Sequence, residues 1–290
     1  MRPLRIILAV LFVLTVSVLV IRGCVRQKPL FLKLPSVTTA SVRPEVLRDT
    51  PPAMVTAPAV GPGAPLLAAR PRLAIILDDW GYDLSLVKEV AAIQRPVTLS
   101  VLPALPHSAQ IAEEAHRRGL GVMLHMPMQP KDPKKRLEPH TIMTTSTEAE
   151  IRQYLDEALK SVPYAQGCNN HMGSAATSDP RVMRVFLSEL KKKDLFFVDS
   201  NVIPTTSGPW MAKSLGIPFT KRDLFIDNQM NKAAIVKQLK KAGKAALAQG
   251  RVVVIGHDHA ATVKAIASTM PVFEKSGIEL VLVRDLLEKN

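Results

Sequence analysis

The chain has 290 residues, 47% of them apolar, enough for one sizeable core in one large or two small domains. Only 4% are aromatic, too few for a surface that stacks single-stranded nucleic acid, so the formal charge of +13 reads as solvated surface plus a basic membrane-proximal segment, with no nucleic-acid partner. Two cysteines, Cys24 and Cys168, exclude a disulfide framework and a cysteine-held zinc site.

Arg2 and Arg5 precede an uncharged apolar run from Ile6 to Ile21, which Arg22 closes. Sixteen residues is the length of a signal core, and Arg22 stands where small cleavage-site residues belong. Residues 1–24 are therefore expected to be a signal peptide or uncleaved membrane anchor. The basic residues ahead of the run favour a domain outside the cytoplasm, anchored to the inner membrane or periplasmic. Ile21-Arg22-Gly23-Cys24 only faintly matches a lipoprotein cleavage box, because Arg22 breaks it. Residues 25–70 hold eight prolines and no periodic pattern, and are expected to be a disordered Pro/Ala-rich linker.

From residue 71 to 290 the pattern becomes that of a folded domain. Leu73–Leu77 reads as a buried strand, Leu84–Ile93 as a helix, Val97–Val101 as a strand, and Ser108–Arg118 as a helix that Gly119 stops. Gly121–His125 is a strand. Thr147 and Glu150 form a capping box for a helix to about Ser161. Cys168–His171 is a short strand, Pro180–Lys193 a helix with proline at its first position, and Leu195–Asp199 a strand. Ile217–Thr220 reads as a short strand and Lys232–Ala248 as an Ala/Lys-rich helix. Arg251–Gly256, Ala261–Lys275 and Glu279–Val283 complete the series as strand, helix and strand. This alternation predicts an α/β fold with mainly parallel strands, closed or nearly closed into a (β/α) barrel.

Polar residues collect where these strands end. The first ends in Asp78-Asp79, two adjacent carboxylates whose burial is costly unless they bind a metal, share a proton or pair with cations. Others end in His125, in Asn169-Asn170-His171-Met172-Gly173-Ser174, in Asp199-Ser200 and in Gly256-His257-Asp258-His259. The carboxyl-end rim of a parallel sheet is where α/β proteins place their chemistry. One carboxylate and two imidazoles suit zinc or another divalent ion, and Asp79, His125 and His171 are the expected ligands. Asp78 is the candidate base that takes a proton from water, His257 the candidate acid, and Asp199 a group that orients or charges a histidine. Asn170 and Ser174 are candidates for substrate contact or support of the site, although Asn170 reads equally well as a turn-former. Asp227, in a loop after Phe225-Ile226, reads as structural at least as readily as functional.

Strand-Asp-Asp-Trp-Gly, His-Met-Pro-Met, Asn-His-Met-Gly-Ser, Phe-Val-Asp-Ser and Ile-Gly-His, in this order, resemble the divergent polysaccharide deacetylase family over about residues 70–288. That family is similar to a wider superfamily of carbohydrate esterases with a distorted (β/α) barrel. The resemblance implies that Asp78 is the base, Asp79 and His125 hold a metal, and His257 is the late histidine. In the wider superfamily a second metal histidine follows the first by four positions. Here that position is Gln129, and the resemblance implies that His171 supplies the ligand from another strand. The Arg-x-Pro-Tyr segment of the superfamily is missing. The implied function is metal-dependent removal of N- or O-acetyl groups from a cell-envelope polysaccharide or peptidoglycan. The alternative is a non-catalytic envelope glycan-binding or scaffold protein on the same barrel.

Overall fold

The computed structural model describes residues 70–288. The expected signal or anchor segment, and all but the last residue of the expected linker, lie outside these residues. Among the described residues, no helix is long and apolar enough to cross a membrane.

Among the described residues there are nine strands and seven helices, in alternation except that β6 and β7 follow one another directly. The strands are β1 (Arg72–Trp80), β2 (Thr98–Val101), β3 (Gly121–Met128), β4 (Gly167–Met172), β5 (Phe196–Asp199), β6 (Phe219–Lys221), β7 (Leu224–Phe225), β8 (Arg251–His257) and β9 (Glu279–Val281). The helices are α1 (Val87–Ala92), α2 (Ser108–Arg117), α3 (Glu148–Ser161), α4 (Pro180–Lys192), α5 (Gly208–Leu215), α6 (Lys232–Gln249) and α7 (Ala260–Lys275). Every ladder between these strands is parallel. Their order is β6-β5-β4-β3-β2-β1-β8-β7, with β9 on the first residues of β1.

The outermost strands, β6 and β7, are consecutive in the chain and joined only by Arg222-Asp223. A flat sheet of eight strands would hold its edges about 34 Å apart. Three residues span at most about 11 Å. The sheet must therefore roll until its edges nearly meet, giving the expected barrel with one seam that no ladder closes. Residue parity follows from this. Ala74, Ile76, Met123, Phe196, Val198, Val253 and Ile255 fill the interior together with Val281, Val283 and Leu286 near the carboxyl terminus. Leu73, Ile75, Leu77, Leu99, Val122, Leu124, Cys168 and Phe197 face outward into the larger core under the helices.

Local signals act as expected at several helix ends. Thr147 and Glu150 make the reciprocal capping box of α3, and Asp179 caps α4 ahead of Pro180. Strand β3 runs past His125 to Met128, because Met126 and Met128 pack into the outer core. Helix α5 and the two-residue β7 were not expected, since both are too short to show a period.

Candidate metal centre and its surroundings

Strand parity places Asp78 in the barrel, as it does Ala74 and Ile76, and would turn Asp79 outward. A bulge prevents this. Leu77 pairs with Leu99 but Trp80 pairs with Val101, so β1 carries one extra residue. Asp79 absorbs it with a φ of +67°, a left-handed conformation that aspartate tolerates better than most residues. Trp80 then returns to the outer core, and both carboxylates face the mouth of the barrel.

There Asp79 meets two histidines from other strands. Its Oδ1 lies 3.1 Å from Nε2 of His125 on β3 and 2.9 Å from Nδ1 of His171 on β4, and these nitrogens are 3.2 Å apart. The three atoms form a nearly equilateral face. Metal bonds of about 2.1 Å at right angles would separate ligand atoms by about 3.0 Å, so this donor set fits a divalent ion. Asp79 keeps 33% of its side chain exposed and His171 15%, which leaves one side open to solvent.

Asn169, also inward-facing on β4, organises what lies behind. Its Oδ1 accepts from Ser100 Oγ at 2.5 Å and from His125 Nδ1 at 2.7 Å, while its Nδ2 donates to Asp78 Oδ1 at 2.9 Å. Neutral His125 with its proton on Nδ1, donated to Asn169, would offer its Nε2 lone pair to an ion at this face, whereas a proton on Nε2 is donated to Asp79. Burial pushes the Asp78 carboxyl above its ordinary range, although His125 opposes the shift. For Asp79 burial acts in the same direction, but the hydrogen bonds from His125 and His171 prevail and hold it well below the usual carboxylate range.

His257 ends β8 directly opposite Asp78 in the ladder. Asp227 holds it: Oδ1 is 2.9 Å from His257 Nδ1, and Oδ2 accepts from the His257 backbone N–H at 2.7 Å and from Thr262 Oγ1 at 2.9 Å. Burial would lower the imidazole pKa, but Asp227 outweighs it and raises the pKa to about 9. Asp258, beside it, is pushed up to about 7, first by burial and then by Asp79.

Asp78, Asp79, His125, His171 and His257 are thus brought together on one rim. Three other candidates are not. Asp199 faces outward, because Phe196 and Val198 take the inward parity of β5. Its Oδ1 accepts from Asn201 N at 2.6 Å and its Oδ2 from Thr206 Oγ1 at 2.7 Å. The expectation that Asp199 orients a histidine is corrected, since Asp227 has that position. Asn170 is buried and faces outward, donating to Met172 O and accepting from Ser200 N. It ties β4 to β5, a structural place rather than the expected substrate contact. Ser174 accepts from Lys131 N and joins two loops. Gln129, where the superfamily has its second histidine, accepts at Oε1 from Thr144 N and Oγ1. Asn169 is the residue that sequence reasoning passed over. It shares parity with His171, and that was the available signal.

The sequence model of the divergent polysaccharide deacetylase family matches residues 75–287. An uncharacterized protein of Escherichia coli K12, YibQ, is 36% identical over 203 residues, which is 70% of this chain and 63% of that protein. The chain therefore spans less than two thirds of that relative. An uncharacterized protein of Haemophilus influenzae Rd is 34% identical over 195 residues, 67% of this chain and 69% of its own. The crystal structure of an uncharacterized protein from Agrobacterium tumefaciens C58 shares the fold, with a TM-score of 0.72 at 20% identity, over 76% of this chain and 90% of that one. The chain belongs to the divergent polysaccharide deacetylase family.

Proposed function

We propose that this protein is a zinc-dependent hydrolase that removes acetyl groups, N- or O-linked, from a cell-envelope polysaccharide or peptidoglycan. The observation that carries the reading is the convergence of Asp79, His125 and His171 at 2.9–3.2 Å, with a buried carboxyl on one side and a charged imidazole on the other. A divalent ion held by these three residues would supply a Lewis acid that polarises the acyl carbonyl and acidifies a water. Asp78, whose burial favours the protonated form, accepts the water's proton as its oxygen bonds to the acyl carbon. His257, kept protonated by Asp227, donates to the leaving nitrogen or oxygen as the acyl bond breaks. Acetate and the free amine or hydroxyl result. The Ile6–Ile21 run supports a domain held outside the cytoplasm at the inner membrane, which protease accessibility in spheroplasts would check.

The test uses the full chain, loaded with zinc or stripped by chelation, against a panel of acetylated envelope glycans. Acetate release should require metal. Asp78→Asn should reduce it by about a hundredfold or more while metal content stays at that of the wild type. Glycan binding without acetate release, under every metal supplied, would instead make the protein a non-catalytic glycan-binding module.

A further inference from the structure

Arg222 lies in the seam where the barrel ladder is interrupted. Its Nε donates to Ser200 O at 2.7 Å and its Nη2 to Asn201 O at 2.6 Å, which fixes the guanidinium at the carboxyl end of β5. The guanidinium carbon stands 3.7 Å from the centre of the Phe225 ring. Phe225 packs on the interior cluster, and its ring is 5.8 Å from that of His257 with 21° between the planes. The cation is therefore one aromatic ring away from His257, on the barrel's open rim. Two backbone carbonyls satisfy its geometry but not its charge. Nη1 has no partner, and no ion pair to Arg222 forms, among the described residues. Burial lowers the pKa of this arginine, with Asp199, Asp223 and Asp78 offsetting only part of the effect. A half-buried, rigid guanidinium with a free donor edge and no carboxylate in direct contact is an arrangement that recognises carboxylate and phosphate.

We propose that Arg222 binds an oxyanion, carboxylate or phosphate, carried on the sugar that bears the acyl group. His257 protonates the leaving group, so the position beyond it faces the sugar and not the acetyl. The assignment to the sugar side rests on the hydrolase reading; the anion site itself does not. It makes the preferred glycan an acidic one.

Calorimetry on the zinc-loaded full chain tests this. The ligands are an N-acetylhexosamine disaccharide with a lactyl carboxylate, the same disaccharide with that carboxylate reduced to an alcohol, and an otherwise neutral disaccharide that carries a 6-phosphate. At least one anionic ligand should bind about tenfold to a hundredfold more tightly than the alcohol. The anion that does so identifies the source. Arg222→Gln should abolish the preference and Arg222→Lys should reduce it, with affinity for the alcohol nearly unchanged. Rising salt should weaken the wild-type preference, a check that needs no variant. Equal binding of all three ligands by the wild type would overturn the proposal, as would an equal loss for all three in a folded Arg222→Gln protein. Acetate release measured on the same samples keeps the two readings apart, because an Arg222-dependent preference without hydrolysis would refute the hydrolase alone.

Discussion

Replacing Asp227 by Asn separates the charge of His257 from its position. The amide oxygen can still accept from the His257 backbone N–H and from Thr262, now 2.7 and 2.9 Å from Oδ2. The amide nitrogen then faces His257 Nδ1, so the bond that stabilises the imidazolium is lost while the burial that opposes it stays. The pKa should fall from about 9 to the ordinary 6.5 or below. If His257 acts as a protonated acid, the variant loses about thirtyfold in kcat/KM at pH 8 and less than about twofold at pH 6. Acetate release measured between pH 5 and 10 reads this directly, and an NMR titration of the His257 ring reads the pKa without turnover. The stability effect has its own sign. A pKa raised on folding stabilises the native state fully below about pH 6.5, and that contribution disappears as pH rises through about 9. The variant should therefore melt below the wild type at pH 6 and approach it at high pH. An alkaline limb that does not move, or a loss independent of pH, would refute His257 as the acid.

Three further outcomes follow from the geometry. Asp79→Gly keeps the left-handed backbone without a Cβ, so it should fold but bind no zinc by elemental analysis, and Asp79→Ala should be less stable than Asp79→Gly by about 1 kcal/mol. Asn169→Ala frees His125 and Asp78 from their shared anchor and should weaken zinc affinity about tenfold to a hundredfold in a competition titration with a chelating dye. Asp199→Asn leaves one of two hydrogen-bond donors facing an amide N–H, so it should cost about 1–3 kcal/mol in urea denaturation but leave the alkaline limb of activity in place.

The barrel was legible because β1, β3 and β8 run apolar from their second residues to the rim, where Asp78, His125 and His257 stand. His171 stands two residues beyond Asn169, the first polar residue of β4. The bulge was not legible, because the sign of one backbone angle leaves no trace in a pattern of apolar residues. It decides all the same whether Asp79 can reach the histidines. Asp199 misled because β5 is apolar on both faces, which hides the parity that turns it outward. Asp227 was left undecided because β7 is only two residues long. The Asn169-Asn170 pair shows the remedy: parity counted back from His171 selects Asn169 for the interior.

The strand order also bears on how the chain reaches this fold. In the sheet β1 lies between β2 and β8, and its long partner β8 begins only at Arg251. During synthesis Asp78 and Asp79 are made early, yet the strand that carries them stays half-paired until nearly the whole domain exists. Such distant parallel pairing is slow and leaves a sticky edge exposed meanwhile. Chains cut short before Arg251 should accumulate as aggregates rather than as smaller folded domains, and a holding chaperone would have most to protect in the interval before β8 arrives.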